Sequence, residues 1–216
     1  MRKPFKLDLY LVTDRDLSLG RPLREIVEKA VKGGVTMVQL REKSASTRDF
    51  IQEALEIKSF LRHHGIPLVI NDRVDVALAI DADGVHLGQS DMHWEMARRL
   101  LGPDKIIGLS IEKEKQLKEA NEADIDYIGI SPVFTTPTKK ELEKGLGLKG
   151  TSEIAHNSKH LSVAIGGINL SNVTDVLRTG TNGVSVVSAI CSAEDAEAAA
   201  RALAEVIKQV KQESRL

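Results

Sequence analysis

The sequence predicts an α/β fold, a single (β/α)8 (TIM) barrel domain spanning 1–216, and three observations carry that prediction. Short runs rich in Val, Ile and Leu recur eight times, amphipathic stretches separate them, and polar residues gather where each run ends. Near-continuous apolar runs are how parallel strands read when helices cover them. Eight such strand–helix units suffice to close a barrel, here at the short end of that fold's size range. An open doubly wound sheet is the alternative, but no linker or shift of composition divides the chain.

The expected strands are 9–13 (LYLVT), 35–40 (VTMVQL), 67–70 (PLVI), 84–87 (GVHL), 106–110 (IIGLS), 127–131 (YIGIS), 162–166 (SVAIG) and 183–188 (GVSVVS). A helix over 22–32 opens with Pro22 at a first helical position and stops at Gly33-Gly34. Ser46 or Thr47 can cap the next helix, which places Phe50, Ile51, Ala54, Leu55, Ile57, Phe60 and Leu61 along one side and ends at Gly65. Further helices are expected at 74–80, 94–101, 113–123, 151–155 and 170–179, and an Ala-rich one at 193–212. The longest break, 134–150, exceeds the usual connection length and reads as a functional loop.

Composition narrows the partners. Lys plus Arg number 30 against 31 for Asp plus Glu, so the basic excess of a nucleic-acid or membrane-surface binder is missing. No apolar stretch is long enough for a membrane helix, and the N-terminus lacks a secretory pattern. The lone cysteine, Cys191, excludes an intrachain disulfide and a thiolate metal cluster. One thiol without a framework fits a cytoplasmic protein. Self-association into a homo-oligomer stays open.

Active sites of such barrels lie at the C-terminal ends of the strands. Here those ends carry Thr13-Asp14-Arg15, Gln39 to Lys43, Asn71-Asp72-Arg73, Gly88 to Asp91, Ser110, Ser131, Gly166-Gly167 and Ser188. Two anion sites can be argued. The first pairs Gly166 and Gly167, whose backbone N–H groups can approach a ligand closely, with Val187 and Ser188, where a short helix can begin. A tight turn needing glycine is the plainer reading. The second gathers Arg41, Lys43 and Lys139 with Asp72 and Asp91. Cations suit phosphate oxygens. Two carboxylates among them make sense if Mg2+ sits between them and a diphosphate, since Mg2+ takes one or two carboxylates plus waters and phosphates. Two surface ion pairs are the alternative. Thr135, Thr136 and Thr138 add hydroxyls beside Lys139. Two anion sites at one rim point to a joining reaction, in which a diphosphate ester loses diphosphate and a second, monophosphorylated molecule attacks the freed carbon.

Other motifs carry less. Gly145 to Gly150 matches G-x-G-x-x-G, but the preceding segment is charged rather than a strand, so the dinucleotide reading fails. His63 and His64 suit a helix C-terminus. His86, inside a strand, reads as a hydrogen-bonded barrel residue, and Cys191 as packing.

These residues together resemble the thiamine-phosphate synthase family, from near Leu9 to the last helix. The resemblance rests on QLREK (39–43), NDRVDVALAIDADGVHLGQSDM (71–92), IGLS (107–110), FTTPTK (134–139), IGGI (165–168) and GVSVVSAI (183–190). It implies a (β/α)8 barrel that couples a hydroxymethylpyrimidine diphosphate to a thiazole phosphate, dissociatively, through a pyrimidine-stabilised carbocation. Gln39, Arg41, Lys43, Asn71, Ser110 and Lys139 would hold the pyrimidine diphosphate, with Arg41, Lys43, Ser110 and Lys139 closest to the chemistry. Asp72 and Asp91 would bind Mg2+. Thr136, Thr138, Gly166 or Gly167, Val187 and Ser188 would hold the thiazole phosphate. Ser90 stands where family members commonly carry an acidic residue. A thiazole tautomerase on the same fold, or a silent thiamine-phosphate-binding regulator, are the alternatives; neither needs the whole charged set.

Overall fold

The computed structural model describes residues 4–135 and 145–213. Eight parallel strands close in sequence order: β1 (Leu9–Val12), β2 (Met37–Leu40), β3 (Leu68–Asn71), β4 (Gly84–Leu87), β5 (Ile106–Ile111), β6 (Tyr127–Ile130), β7 (Leu161–Ile165) and β8 (Gly183–Val186). Closure is made by β1 against β8, with Tyr10 opposite Ser185. On its other side β1 pairs with β2, with Val12 opposite Gln39. The barrel anticipated from the apolar runs is therefore the fold: β4 keeps its expected bounds, β1, β2, β6 and β8 are shorter by a residue or two, β3 and β7 are shifted by one, and β5 is one residue longer.

Helices alternate with the strands: α1 (Leu23–Lys32), α2 (Thr47–His63), α3 (Val74–Ala79), α4 (Trp94–Leu101), α5 (Glu114–Ala120), α6 (Gly147–Asn157) and α7 (Val173–Leu177). One turn, α8 (Ser188–Cys191), follows β8 before the long α9 (Ala196–Glu213), which packs against α1. Ser46 caps α2, its hydroxyl accepting from the Asp49 amide. The buried stripe of α2 is Phe50, Ala54, Ile57 and Leu61, the spacing of one helix face. Leu55, expected on that face, is exposed, because it lies about 100° around the helix from Ala54. His63 and His64 close the helix, their rings bonding the carbonyls of Ser59 and Phe60.

Several helices differ in length from expectation, α5 (Glu114–Ala120 against 113–123) among them, and two of these departures have a visible cause. Helix α6 begins at Gly147, four residues before the expected start and inside the glycine-rich segment read as loop. The amides of Leu146 and Gly147 donate to the carbonyls of Pro132 and Val133, and the Thr151 hydroxyl donates to the Gly147 carbonyl, so the first turn is tied down from both sides. Helix α7 is shorter than expected, because Asn169 and Asn172 turn the chain first: the Asn172 side chain accepts from the Asn169 amide.

The barrel has two apolar layers. The larger lies between strands and helices and includes Leu11, Ile26, Val38, Leu61, Ile70, Val85, Ile128, Ala164 and Leu203. The smaller fills the inside of the barrel with Leu7, Tyr10, Met37, Val69, Ile106, Tyr127 and Val163. It seals the N-terminal end and leaves a cavity toward the C-terminal strand ends. No helix among the described residues is long and apolar enough to cross a membrane.

Candidate active site

That cavity measures about 920 Å³ counted with its open mouth. Gln39, Arg41, Asn71 and Ser110 line one part of it, and Gly166, Gly167, Val187 and Ser188 another. Eight of the residues expected to bind ligand thus share one pocket. Lys43, Asp72 and Asp91 stand next to it. Thr136, Thr138 and Lys139 lie outside the described residues.

The polar side is held by carboxylates. Arg41 Nη1 lies 2.6 Å from Asp14 Oδ2, on the adjoining strand end, and both residues line the cavity. Glu42 turns inward, and its Oε1 accepts from the amides of Lys43, Ser44 and Ala45, while Arg15 Nε bonds its Oε2 at 2.5 Å. Burial opposes the charge on Glu42, but the Ser44 amide and Arg15 outweigh it and hold the carboxyl below the usual carboxylate range. Glu42 therefore shapes the loop that carries Lys43.

Lys43 Nζ reaches Asp72 Oδ2 at 2.6 Å. Asp72 in turn hydrogen-bonds the carboxyl of Asp91, whose Oδ2 also accepts from the Gly88 amide at 2.7 Å. Burial and the neighbouring Asp72 raise the affinity of Asp91 for a proton. Burial works the same way on Asp72, yet the hydrogen bond from Asp91 and the Lys43 ammonium hold it below the ordinary range. Asp72 also has φ +61°, a left-handed conformation that Asp tolerates better than most residues. Among the described residues no group of three or more His, Cys, Asp or Glu could hold a metal ion. Two facing carboxylates do fit a hard cation that fills its shell with water and phosphate oxygens.

On the opposite wall, Gly166 and Gly167 have φ +113° and +66°. A Cβ at Gly166 would sit 2.8 Å from Cβ of Pro132, and one at Gly167 would sit 2.9 Å from Cβ of Phe134. Both the turn and the close approach require glycine. The amides of Val133 and Phe134 donate to the carbonyls of Ile165 and Gly166, so the chain leaving β6 is fastened to this turn. The buried hydroxyls of Ser131 and Ser185, both lining the cavity, have no protein partner among the described residues.

The sequence reading gave no role to four contributors: Asp14 and Glu42, visible only as polar strand ends, and Tyr10 and Tyr127. Glu42 sits inside the QLREK run, but nothing in that run says its side chain points inward. His86 is hydrogen-bonded inside the barrel as expected, to Tyr127 and Ser110. Cys191 is fully buried, and burial pushes its thiol up to about 11, in keeping with packing.

Fold and site together define a (β/α)8-barrel enzyme. The chain matches the family model described as thiamine monophosphate synthase over residues 9–190, and it belongs to that family, a family of transferases. A thiamine-phosphate synthase of Clostridium novyi is 52% identical over 198 residues, covering 92% of this chain and 97% of that one. One from Vibrio campbellii is 54% identical over 195 residues, covering 90% and 95%. Among solved structures, a thiamine phosphate pyrophosphorylase from Pyrococcus furiosus superposes with a TM-score of 0.87 at 39% identity, covering 94% of this chain and 96% of that one.

Proposed function

We propose that this protein condenses 4-amino-2-methyl-5-hydroxymethylpyrimidine diphosphate with 4-methyl-5-(2-hydroxyethyl)thiazole phosphate, giving thiamine phosphate and diphosphate, or with its 2-carboxy form, which releases carbon dioxide as well. The observation that carries the reading is the placement of the Arg41, Lys43, Asp72 and Asp91 cluster at the same barrel end as the Gly166-Gly167 turn. The names of the relatives support it. A tautomerase would have no use for the paired carboxylates beside Lys43.

In this reading Gln39, Asn71 and Ser110 hold the pyrimidine ring and its linkage, and Arg41, Lys43 and Lys139 hold the diphosphate. Asp72 and Asp91 would hold Mg2+, which when bound neutralises charge on the departing diphosphate. The bond between the pyrimidine methylene carbon and the diphosphate oxygen breaks first, and its electron pair leaves with the diphosphate. The thiazole nitrogen then forms the new bond to that carbon. The Gly166 and Gly167 turn, Val187 and Ser188, with Thr136 and Thr138, fix the thiazole phosphate in line with the carbon. No protein nucleophile or general base is needed, so this chain contributes position and charge. The buried Cys191 thiol fits a cytoplasmic setting.

The test is direct. Purified protein given both substrates and Mg2+ is expected to release diphosphate and form thiamine phosphate. Absence of turnover with both thiazole forms removes the reading.

A further inference from the structure

Five side chains from five strands form one hydrogen-bonded chain across the floor of the cavity. Gln39 Nε2 donates to Tyr10 Oη at 2.9 Å, and Tyr10 Oη lies 2.8 Å from Tyr127 Oη. Tyr127 Oη lies 2.9 Å from His86 Nδ1, and His86 Nε2 lies 2.9 Å from Ser110 Oγ. Both ends line the cavity, whereas Tyr127 is wholly buried.

The direction of the chain follows from counting protons. With Tyr10 Oη accepting from Gln39, the arrangement that leaves no buried phenol proton unused sends the Tyr10 proton to Tyr127. The Tyr127 proton then goes to His86 Nδ1, which must be unprotonated. The imidazole carries its proton on Nε2 and donates to Ser110 Oγ. Ser110 accepts from His86, and its own proton is left for the cavity. At the other end Gln39 has committed one of its two N–H groups to Tyr10 and keeps Oε1 as an acceptor. Reversing the Gln39 amide would reverse every step.

The barrel makes room for this chain. A Cβ at Gly108 would lie 2.1 Å from Tyr127 Cζ and 2.5 Å from His86 Nδ1, and one at Gly129 would lie 3.1 Å from His86 Cε1. Neither glycine has a positive φ, so what each supplies is space for the Tyr127–His86 contact. Burial also raises the proton affinity of both phenols, which keeps them donors.

We propose that Tyr127 and Tyr10 are positioning residues, which fix His86 in its Nε2–H form and turn the Ser110 hydroxyl proton into the cavity. With the Gln39 carbonyl as acceptor, the cavity then complements an aminopyrimidine, which offers an exocyclic N–H and unprotonated ring nitrogens. It opposes the 4-oxo analogue, which offers a carbonyl and a ring N–H. This deepens the function proposed above and rests on it for the ligand, but the state of His86 is a property of the protein alone.

The experiment is a long-range 1H–15N correlation spectrum of the full chain labelled with 15N-histidine, assigned by comparison with His86→Gln. The Nε2–H pattern is expected for His86; an Nδ1–H pattern overturns the inference, even in a protein that turns nothing over. Kinetics of Tyr127→Phe supply the second readout. The variant is expected to raise KM for the aminopyrimidine diphosphate on the order of 10-fold, about one hydrogen bond to substrate. KM for the thiazole phosphate should stay unchanged, and the preference over the 4-oxo analogue should narrow. Tyr10→Phe, which cuts the chain one link earlier, should act in the same direction. If Tyr127→Phe leaves both the His86 pattern and the pyrimidine KM as in the parent, the inference is wrong.

Discussion

The carboxyl groups of Asp72 and Asp91 hydrogen-bond each other, with Asp72 the more acidic of the two and Lys43 completing a three-membered chain. Neighbouring carboxyls oppose each other's full ionisation, because like charges repel. A divalent cation between them would relieve that repulsion, which is why the pair is the Mg2+ site proposed above.

Asp72→Asn and Asp91→Asn should each lower Mg2+-dependent diphosphate release by about 100-fold or more, since each removes an anionic metal ligand. Asn at 72 also tolerates the left-handed backbone there, so the fold should persist. Thermal melting without Mg2+ should separate the two: Asp91→Asn should melt with the parent or slightly higher, because a carboxyl whose ionisation the fold opposes is gone, whereas Asp72→Asn loses the ion pair with Lys43 and should melt slightly lower. A Mg2+ titration of rate that superposes on the parent's in both variants would contradict the assignment.

Arg41 owes its position to Asp14, 2.6 Å away, and Asp14 is itself fixed by the Leu17 amide on its other oxygen. Asp14→Ala should therefore impair the enzyme without removing any proposed substrate contact, by roughly 10–100-fold in kcat/KM. Asp14→Asn keeps an acceptor for the guanidinium and should recover part of the loss. Steady-state kinetics of Asp14→Ala, Asp14→Asn and Arg41→Ala decide it, with Arg41→Ala the most damaged. Wild-type kinetics in Asp14→Ala would separate the two residues.

The barrel was legible because parallel strands are buried on both faces, and runs such as YIGI and GVSV can hardly be anything else. The rim was legible because ends such as Gln39 to Lys43 break an apolar run with several charges at once. Helix α6 was not, because Gly145, Gly147 and Gly150 read as breakers while the bonds that fix its start come from Pro132 and Val133, across the chain. The Tyr10–Tyr127–His86 contact was illegible for a stronger reason. Its partners lie far apart in sequence, and only barrel closure brings them together. Asp14 is intermediate: its strand-end position was visible, but its pairing with Arg41 depends on the β1–β2 register.

Glu42 ties stability to pH. Its carboxyl is held below the usual range in the folded chain, by the Ser44 amide and Arg15 against the opposing effect of burial. The stability it adds is complete above the unfolded carboxyl pKa of about 4.3, and it drains away as pH falls through the lower folded value. Glu42→Gln should destabilise the protein at pH 7 by about 1–3 kcal/mol, because the carboxamide keeps one oxygen for the amides but turns an N–H toward the Arg15 guanidinium. The gap between variant and parent should shrink below about pH 4. Urea melts at pH 7 and at low pH measure both. An equal gap at the two pH values would show that the charge of Glu42 contributes nothing.

Gly166 and Gly167 separate fold from ligand binding more finely. At Gly166 a side chain meets both the φ of +113° and a 2.8 Å contact with Cβ of Pro132; at Gly167 it meets φ +66° and Cβ of Phe134. Pro132 is ring-locked and backbone-fixed, so it cannot yield, whereas the left-handed conformation at Gly167 costs a non-glycine residue only about 1–2 kcal/mol. Gly166→Ala should therefore lower Tm the more. Both substitutions move the backbone amides of the proposed phosphate cup, so both should raise KM for the thiazole phosphate, by about 10-fold or more for each hydrogen bond of about 1.4 kcal/mol that is lost. KM for the pyrimidine diphosphate, held on the far wall, should change little. Equal rises in the two KM values, or a rise for the pyrimidine alone, would place the thiazole phosphate elsewhere.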